Sequence, residues 1–159
     1  MIFREVARAN KRLDAAQIAQ ILKNEKRGVL SVLGENGYPY GLPINYWYNE
    51  ENGYIYFHSG KKGHKVDAIR ADDRVSFCVY DEGFRRDGEW ALNISSVIVF
   101  GRLYVVDDFE KTVDVCRRLS LKFTSDTAYI ESEIEKFAKA TLCYELRPDH
   151  VTGKIVTES

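Results

Sequence analysis

Cysteine is scarce in this 159-residue chain: Cys78, Cys116 and Cys143 are odd in number and far apart. They form no metal-binding or CxxC redox spacing, so they read as reduced structural thiols. Proline is rarer than usual and glycine moderate, which leaves no low-complexity linker, and no internal repeat is visible. Neither sign of charge dominates. The formal net charge is −1, so no global basic field speaks for nucleic acid. No apolar run is long enough to span a bilayer as a helix. The opening "MIFREVARANKRL" has no hydrophobic stretch followed by a cleavage site, and the expectation is a cytoplasmic protein with no membrane partner. The GxGxxG fingerprint, the P-loop and the GxSxG elbow are all missing.

Aromatic residues are plentiful, led by ten tyrosines, and the length suits one domain over residues 1–159 with a substantial core. Asp14 can cap a helix through "AAQIAQILKNE", with Ile18, Ile21 and Leu22 on one face. Six strands are expected: "GVLSVLG", "YPYGLPINYWYN", "YIYFHS", "RVSFCVYDE", "ISSVIVFGRLYVVDD" and "TLCYELRPDHVTGKIV". Asn36-Gly37 marks a hairpin turn, a bulge is expected at Gly101, and the last strand should bend near Pro148 and Gly153. "HKVDAIRADD" reads as a short helix, and "FEKTVDVCRRLSLKF" and "TAYIESEIEKFAKA" as two amphipathic ones. Hairpin-connected strands with helices inserted late predict a mainly β fold with peripheral helices, an antiparallel barrel rather than βαβ units.

The densest chemistry lies in "YIYFHSGKKGHKVDAI", Tyr54 to Ile69, which begins as a strand and ends as a helix. Ser59 and the backbone near Gly60 and Gly63 can offer donors at close range. A helix N-terminus favours negative charge, and Lys61, Lys62 and Lys65 add ammonium groups. Phosphate satisfies all three features. A lysine-rich turn before a helix is also common solvated surface, so spacing alone leaves both readings open. His58 and His64 are six apart across the junction with no cysteine or nearby ligand-type carboxylate between them, which argues against a metal site. His58 and Ser59 are neighbours whose side chains diverge on a strand, which argues against a hydrolytic triad. The aromatic strand, with Tyr38, Tyr40, Tyr46, Trp47 and Tyr48, is either ordinary packing or a wall for a flat ring. With a phosphate site beside it, the second reading suggests a nucleotide-like or flavin ligand.

The order of "GYPYGLPINY", "GYIYFHS", "GHKVDAI" and "SSVIVFGR" resembles the flavin-binding split-barrel proteins related to pyridoxamine 5'-phosphate oxidase, in particular their nitroimidazole-resistance branch. The resemblance runs from about Arg4 to Lys154. It implies a six-stranded antiparallel split β-barrel, a homodimer, and FMN in clefts between the two copies. By the same resemblance Pro43, Ile44, Asn45 and Tyr46 run along the isoalloxazine, with backbone groups facing its polar edge. His58 and Ser59 reach the ribityl chain and phosphate, Lys62 and Lys65 attend the phosphate, and Ser95, Ser96 and Val97 border the cofactor from one copy or the other. The implied activity is an FMN-dependent oxidoreductase that reduces a small, nitroaromatic-type acceptor, with NAD(P)H as electron source. The alternative is a flavin, haem or deazaflavin F420 carrier or sensor without turnover. If the chemistry uses a catalytic acid or base, His58 is the candidate, since histidine titrates near neutral pH. The C-terminal "HVTGKIVTES" has His150 but lacks the arginine-histidine motif of the vitamin B6 oxidases, which speaks against that substrate. The loop "GFRRDGEWALN", with Arg85, Arg86 and Trp90, is the expected place for substrate selection.

Overall fold

The computed structural model describes residues 1–158. Helix α1 (Ala15–Asn24) opens on a capping box: the Asp14 carboxylate accepts from the Gln17 amide at 2.8 Å, and the Gln17 side chain returns the bond at 2.9 Å. Strands β1 (Arg27–Leu33) and β2 (Pro39–Asn45) form a hairpin, with Asn36 (φ 59°) and Gly37 (φ 75°) both left-handed at its tip. Then come β3 (Trp47–Asn49), β4 (Tyr54–Gly60), α2 (His64–Ala71), β5 (Arg74–Tyr80) and β6 (Leu92–Val106). Two helices, α3 (Phe109–Leu121) and α4 (Thr127–Phe137), precede the closing strand β7 (Thr141–Glu158). No helix among the described residues is long and apolar enough to cross a membrane.

All pairings are antiparallel, and the strands lie in the order β2-β1-β5-β6-β7-β4-β3. The sheet therefore has seven strands where six were expected. The difference is one residue: the expected second strand breaks at Tyr46 into β2 and β3, which lie at opposite edges of the sheet. Consecutive Cα atoms are only about 3.8 Å apart, so this step brings the two edges together and curls the sheet into a split barrel. Tyr46 is fully buried, its ring 5.0 Å from Phe77 in an edge-on contact, and its hydroxyl donates to the Leu22 carbonyl at 2.7 Å. Lys122 secures the same corner, with Nζ donating to the carbonyls of Tyr46 and Glu25 at 2.7 Å each.

Alternation builds the barrel interior from Leu30 and Val32, Phe57, Phe77 and Val79, Val97 and Val99, and Leu146. A second cluster, Tyr56, Val106, Val115 and Cys143, lies where α3 covers the outer face of β4 and β7. Those two strands are buried on both faces, which explains their unbroken buried runs, Ile55–Phe57 and Cys143–Leu146. The β6–β7 register shifts between Phe100 and Gly101, which pair with His150 and Pro148; the extra residue is Asp149 on β7, so the irregularity expected in β6 at Gly101 lies in the opposite strand, beside Pro148. Glu145 anchors α3: almost fully buried, it accepts from Lys111 Nζ at 2.6 Å, Arg147 Nε at 2.7 Å and the Tyr56 hydroxyl at 2.8 Å.

Candidate functional site

The junction between β4 and α2 has the form expected of an anion cradle. Gly63, the residue before α2, takes φ 128°, a conformation that a side chain disfavours. No side chain caps the helix, so its first amides keep their donors free of a built-in acceptor. Lys61 and Lys62 are exposed, while Lys65 is half-buried in the first turn, and burial pulls its ammonium pKa down. Among the described residues no carboxylate lies within 4.0 Å of any of these three lysines. Ser59 is half-buried and donates to the Gly60 carbonyl at 2.8 Å. His64 turns away from the cradle: its ring stacks on Tyr40 at 4.3 Å, and Nε2 accepts from the Glu35 amide at 3.4 Å, docking α2 on the β1–β2 turn.

Beside the junction a depression of about 300 Å³ is lined by Arg27, Pro43, Ile44, Asn45 and His58. Four of the expected site residues thus meet in one place. Arg27 Nε donates to Asn45 Oδ1 at 2.9 Å, which orients the amide. His58 keeps exposure to solvent, although neighbouring protein packs around it. Burial first, and the nearby Lys65 charge second, lower its pKa, so it is neutral at pH 7. The influence of Lys65 on His58 also ties the depression electrostatically to the cradle.

The other expected residues lie elsewhere. The Tyr46 side chain is core, and Val97 is likewise fully buried, so neither presents a side chain to a ligand. Trp47 stacks on Tyr56 at 5.1 Å, and Tyr48 packs on the main core, so the aromatic strand beyond Tyr40 is packing. Ser95 and Ser96 lie on β6, away from the depression in the same chain. The Ser95 amide donates to Asp81 Oδ1 at 2.9 Å, and Ser96 lines a hollow with Arg4–Ala7 and Lys154. A larger cleft of about 950 Å³ adjoins the depression, sharing Arg27 and Pro43, with Glu25, Lys26, Asp81, Phe84 and Phe123 among its walls. It has more room, but the depression has the imidazole, on the strand that leads into the cradle. In the 81–91 loop, Arg85 Nε donates to the Trp90 carbonyl at 2.9 Å, and Trp90 is exposed. Arg27 was absent from the sequence expectations; the observed hairpin register is what brings it to Asn45.

The curled antiparallel sheet with its basic strand–helix junction defines a split-barrel protein. The family profile described as Pyridoxamine 5'-phosphate oxidase matches residues 14–155, and the chain belongs to that family. Among solved structures, a protein provisionally described as a 5-nitroimidazole antibiotic resistance protein from Bacteroides thetaiotaomicron is similar, with TM-score 0.78 and 17% identity over 92% of this chain and 87% of that one. An FAD-binding protein from Mesorhizobium loti aligns with TM-score 0.69 and 21% identity over 92% and 97%. An FAD and haem binding protein from Mycobacterium smegmatis aligns with TM-score 0.73 and 16% identity over 91% and 73%. At these identities the likeness is one of fold. No curated protein is similar enough to count as a match.

Proposed function

We propose that this chain is a cytoplasmic, homodimeric FMN protein that acts as an oxidoreductase on a small acceptor, a nitroaromatic being the first class to try, with NAD(P)H as electron source. The observation that carries the reading is the junction of two features. An uncapped helix start with three lysines free of carboxylates lies beside a depression lined by Pro43, Ile44, Asn45 and His58. The chemistry of the residues fits a flavin mononucleotide. Lys65, Lys62 and the first amides of α2 suit a dianionic phosphate, with Ser59 at the ribityl side. Asn45, held by Arg27, offers an amide to the polar edge of a ring. The depression alone is at the small end for a ligand of this size. A second copy that brings Ser95 and Ser96 to the seam would complete its walls, which favours the dimer.

Bound flavin supplies the hydride and electron chemistry, and the protein binds, orients and tunes it. His58, neutral at pH 7, can hold or deliver a proton at the edge of the ring site. We assign acceptor selection to the 81–91 loop, whose Phe84 lines the adjoining cleft and whose Trp90 is exposed. The neighbour that binds both FAD and haem favours a second reading, a flavin, haem or deazaflavin carrier without turnover.

The deciding experiment is a visible spectrum of the purified protein with chromatography of the ligand released on denaturation. NAD(P)H oxidation with nitroaromatic and quinone acceptors follows. Released FMN with turnover supports the first reading, and FMN or haem without turnover supports the second. A colourless protein that also refuses added FMN overturns both.

A further inference from the structure

Cys116 and Cys143 are 27 residues apart in the chain, yet their sulfurs lie 3.9 Å from each other. Spacing alone gives three unrelated thiols, Cys78, Cys116 and Cys143; folding makes the last two a pair. Cys143 is fully buried on β7, held by its pairing with Val106 of β6 and His58 of β4, and its thiol also faces the Thr112 carbonyl at 3.9 Å. Cys116 reaches it from α3, beside the buried Thr112, Val115 and Leu119, and keeps partial access to solvent. Cys78 on β5 has no sulfur neighbour among the described residues.

We propose that Cys116 and Cys143 are a peroxide-responsive dithiol that closes into a disulfide, tying α3 covalently to β7. The two sulfurs need to approach by about 2 Å to reach bonding distance, a shift that side-chain rotation at Cys116 and a small movement of α3 can supply. The accessible sulfur is also the more acidic one. Contact with Cys143 pulls the Cys116 thiol below its ordinary value, whereas the same contact and burial push Cys143 up. In the first step the Cys116 thiolate attacks hydrogen peroxide: an S–O bond forms, the O–O bond breaks, and the leaving hydroxide takes a proton as water. In the second, the Cys143 sulfur attacks the sulfenic sulfur: S–S forms, S–O breaks, and the oxygen leaves as water with the Cys143 proton. Two thiols are oxidised by two electrons and one peroxide is reduced to two waters. Residues directly opposite in a ladder share a face, so the tie would form beside His58.

The test is graded hydrogen peroxide on the purified full chain, followed by intact mass and a non-reducing peptide map, with Cys116→Ser and Cys78→Ser alongside. The expected result is loss of two hydrogens, restored by dithiothreitol, with a link that maps to Cys116 and Cys143 within one chain. Cys78→Ser keeps the link; Cys116→Ser loses it and leaves Cys143 a thiol. Three results overturn the proposal: Cys116 gathering oxygens without a link, a link that joins separate chains, or both thiols persisting at a dose that oxidises Cys78.

Discussion

Replacing Lys65 by alanine separates a phosphate cradle from a solvated turn. Lys65 is the one junction lysine that is half-buried, and among the described residues no carboxylate within 4.0 Å competes for it. Its desolvation cost, visible in a lowered pKa, is already present in the free protein, so a phosphate would gain a cation that has already shed part of its water. One charge-assisted contact in that setting is worth about 1–3 kcal/mol, or roughly 5- to 150-fold in Kd. The exposed Lys62 is a solvated partner, and its loss is expected to cost under about 1 kcal/mol and to matter less in salt. Fluorescence titration of FMN and of riboflavin, which has the ring without the phosphate, against wild type, Lys65→Ala and Lys62→Ala measures this directly. The Lys65 effect should be present with FMN and nearly vanish with riboflavin. Equal losses for both ligands, or an unchanged FMN affinity, would refute the assignment of Lys65 to the phosphate.

Glu145→Gln should cost about 2–4 kcal/mol in urea unfolding, because three donors converge on a buried carboxylate, two of them cations that can partly rehydrate. Burial alone would raise the Glu145 pKa, but bonds from Lys111, Arg147 and Tyr56 more than offset it and lower the value from 4.5. The wild-type advantage should therefore be full above about pH 4.5 and shrink as pH falls through the folded pKa. His58 has its folded pKa below 6.5, so stability should drop as pH falls from 6.5 through that value; thermal melts of His58→Asn should show a flatter acid limb. Lys122→Met removes both carbonyl bonds at the Tyr46 corner and should destabilise by about 1–3 kcal/mol at neutral pH, part of the loss being offset by relief of burial. With its folded pKa pushed down to about 8 against an ordinary 10.5, Lys122 should make wild-type stability rise between those values, and denaturant titration of the variant should lack that rise.

The local signals in the sequence carried most of the fold. The Asp14–Gln17 cap, the left-handed Asn36-Gly37 tip and the amphipathic stripes of α3 and α4 depend on neighbours in sequence, and each is where the residues place it. The break at Tyr46 depends on which distant strand lies at each edge, and an unbroken aromatic run does not reveal that. The cysteine pair is hidden for the same reason, since α4 separates its members in the chain. At the candidate site, the basic junction with His58, Ser59 and the lysines was legible in the residues themselves, whereas the placing of Pro43, Ile44 and Asn45 came from the family resemblance. The contribution of Arg27 follows only from the register. An Asn-Gly two-residue turn would set Arg27 opposite Tyr46; the observed loop, closed by the Gly34 amide on the Tyr38 carbonyl at 2.9 Å, sets it opposite Asn45.

The break at Tyr46 also explains why the depression lies where it does. On one side, β2 pairs only with β1, and its last residue Asn45 faces Arg27. On the other, β3 pairs with β4 as Trp47↔Tyr56, and stepping back along that ladder points Asn45 toward His58. Asn45 thus stands at the seam where the curled sheet fails to close its hydrogen-bond ladder, between a guanidinium and an imidazole. The outer edge of β2 is an open strand edge whose backbone groups need partners. A barrel that closed fully would have paired those groups with another strand. A barrel held at the split by the buried Tyr46, with its hydroxyl on Leu22 and its carbonyl on Lys122, leaves that edge open. Tyr46 therefore acts from inside: its side chain fixes the corner, and Asn45 beside it lines the depression.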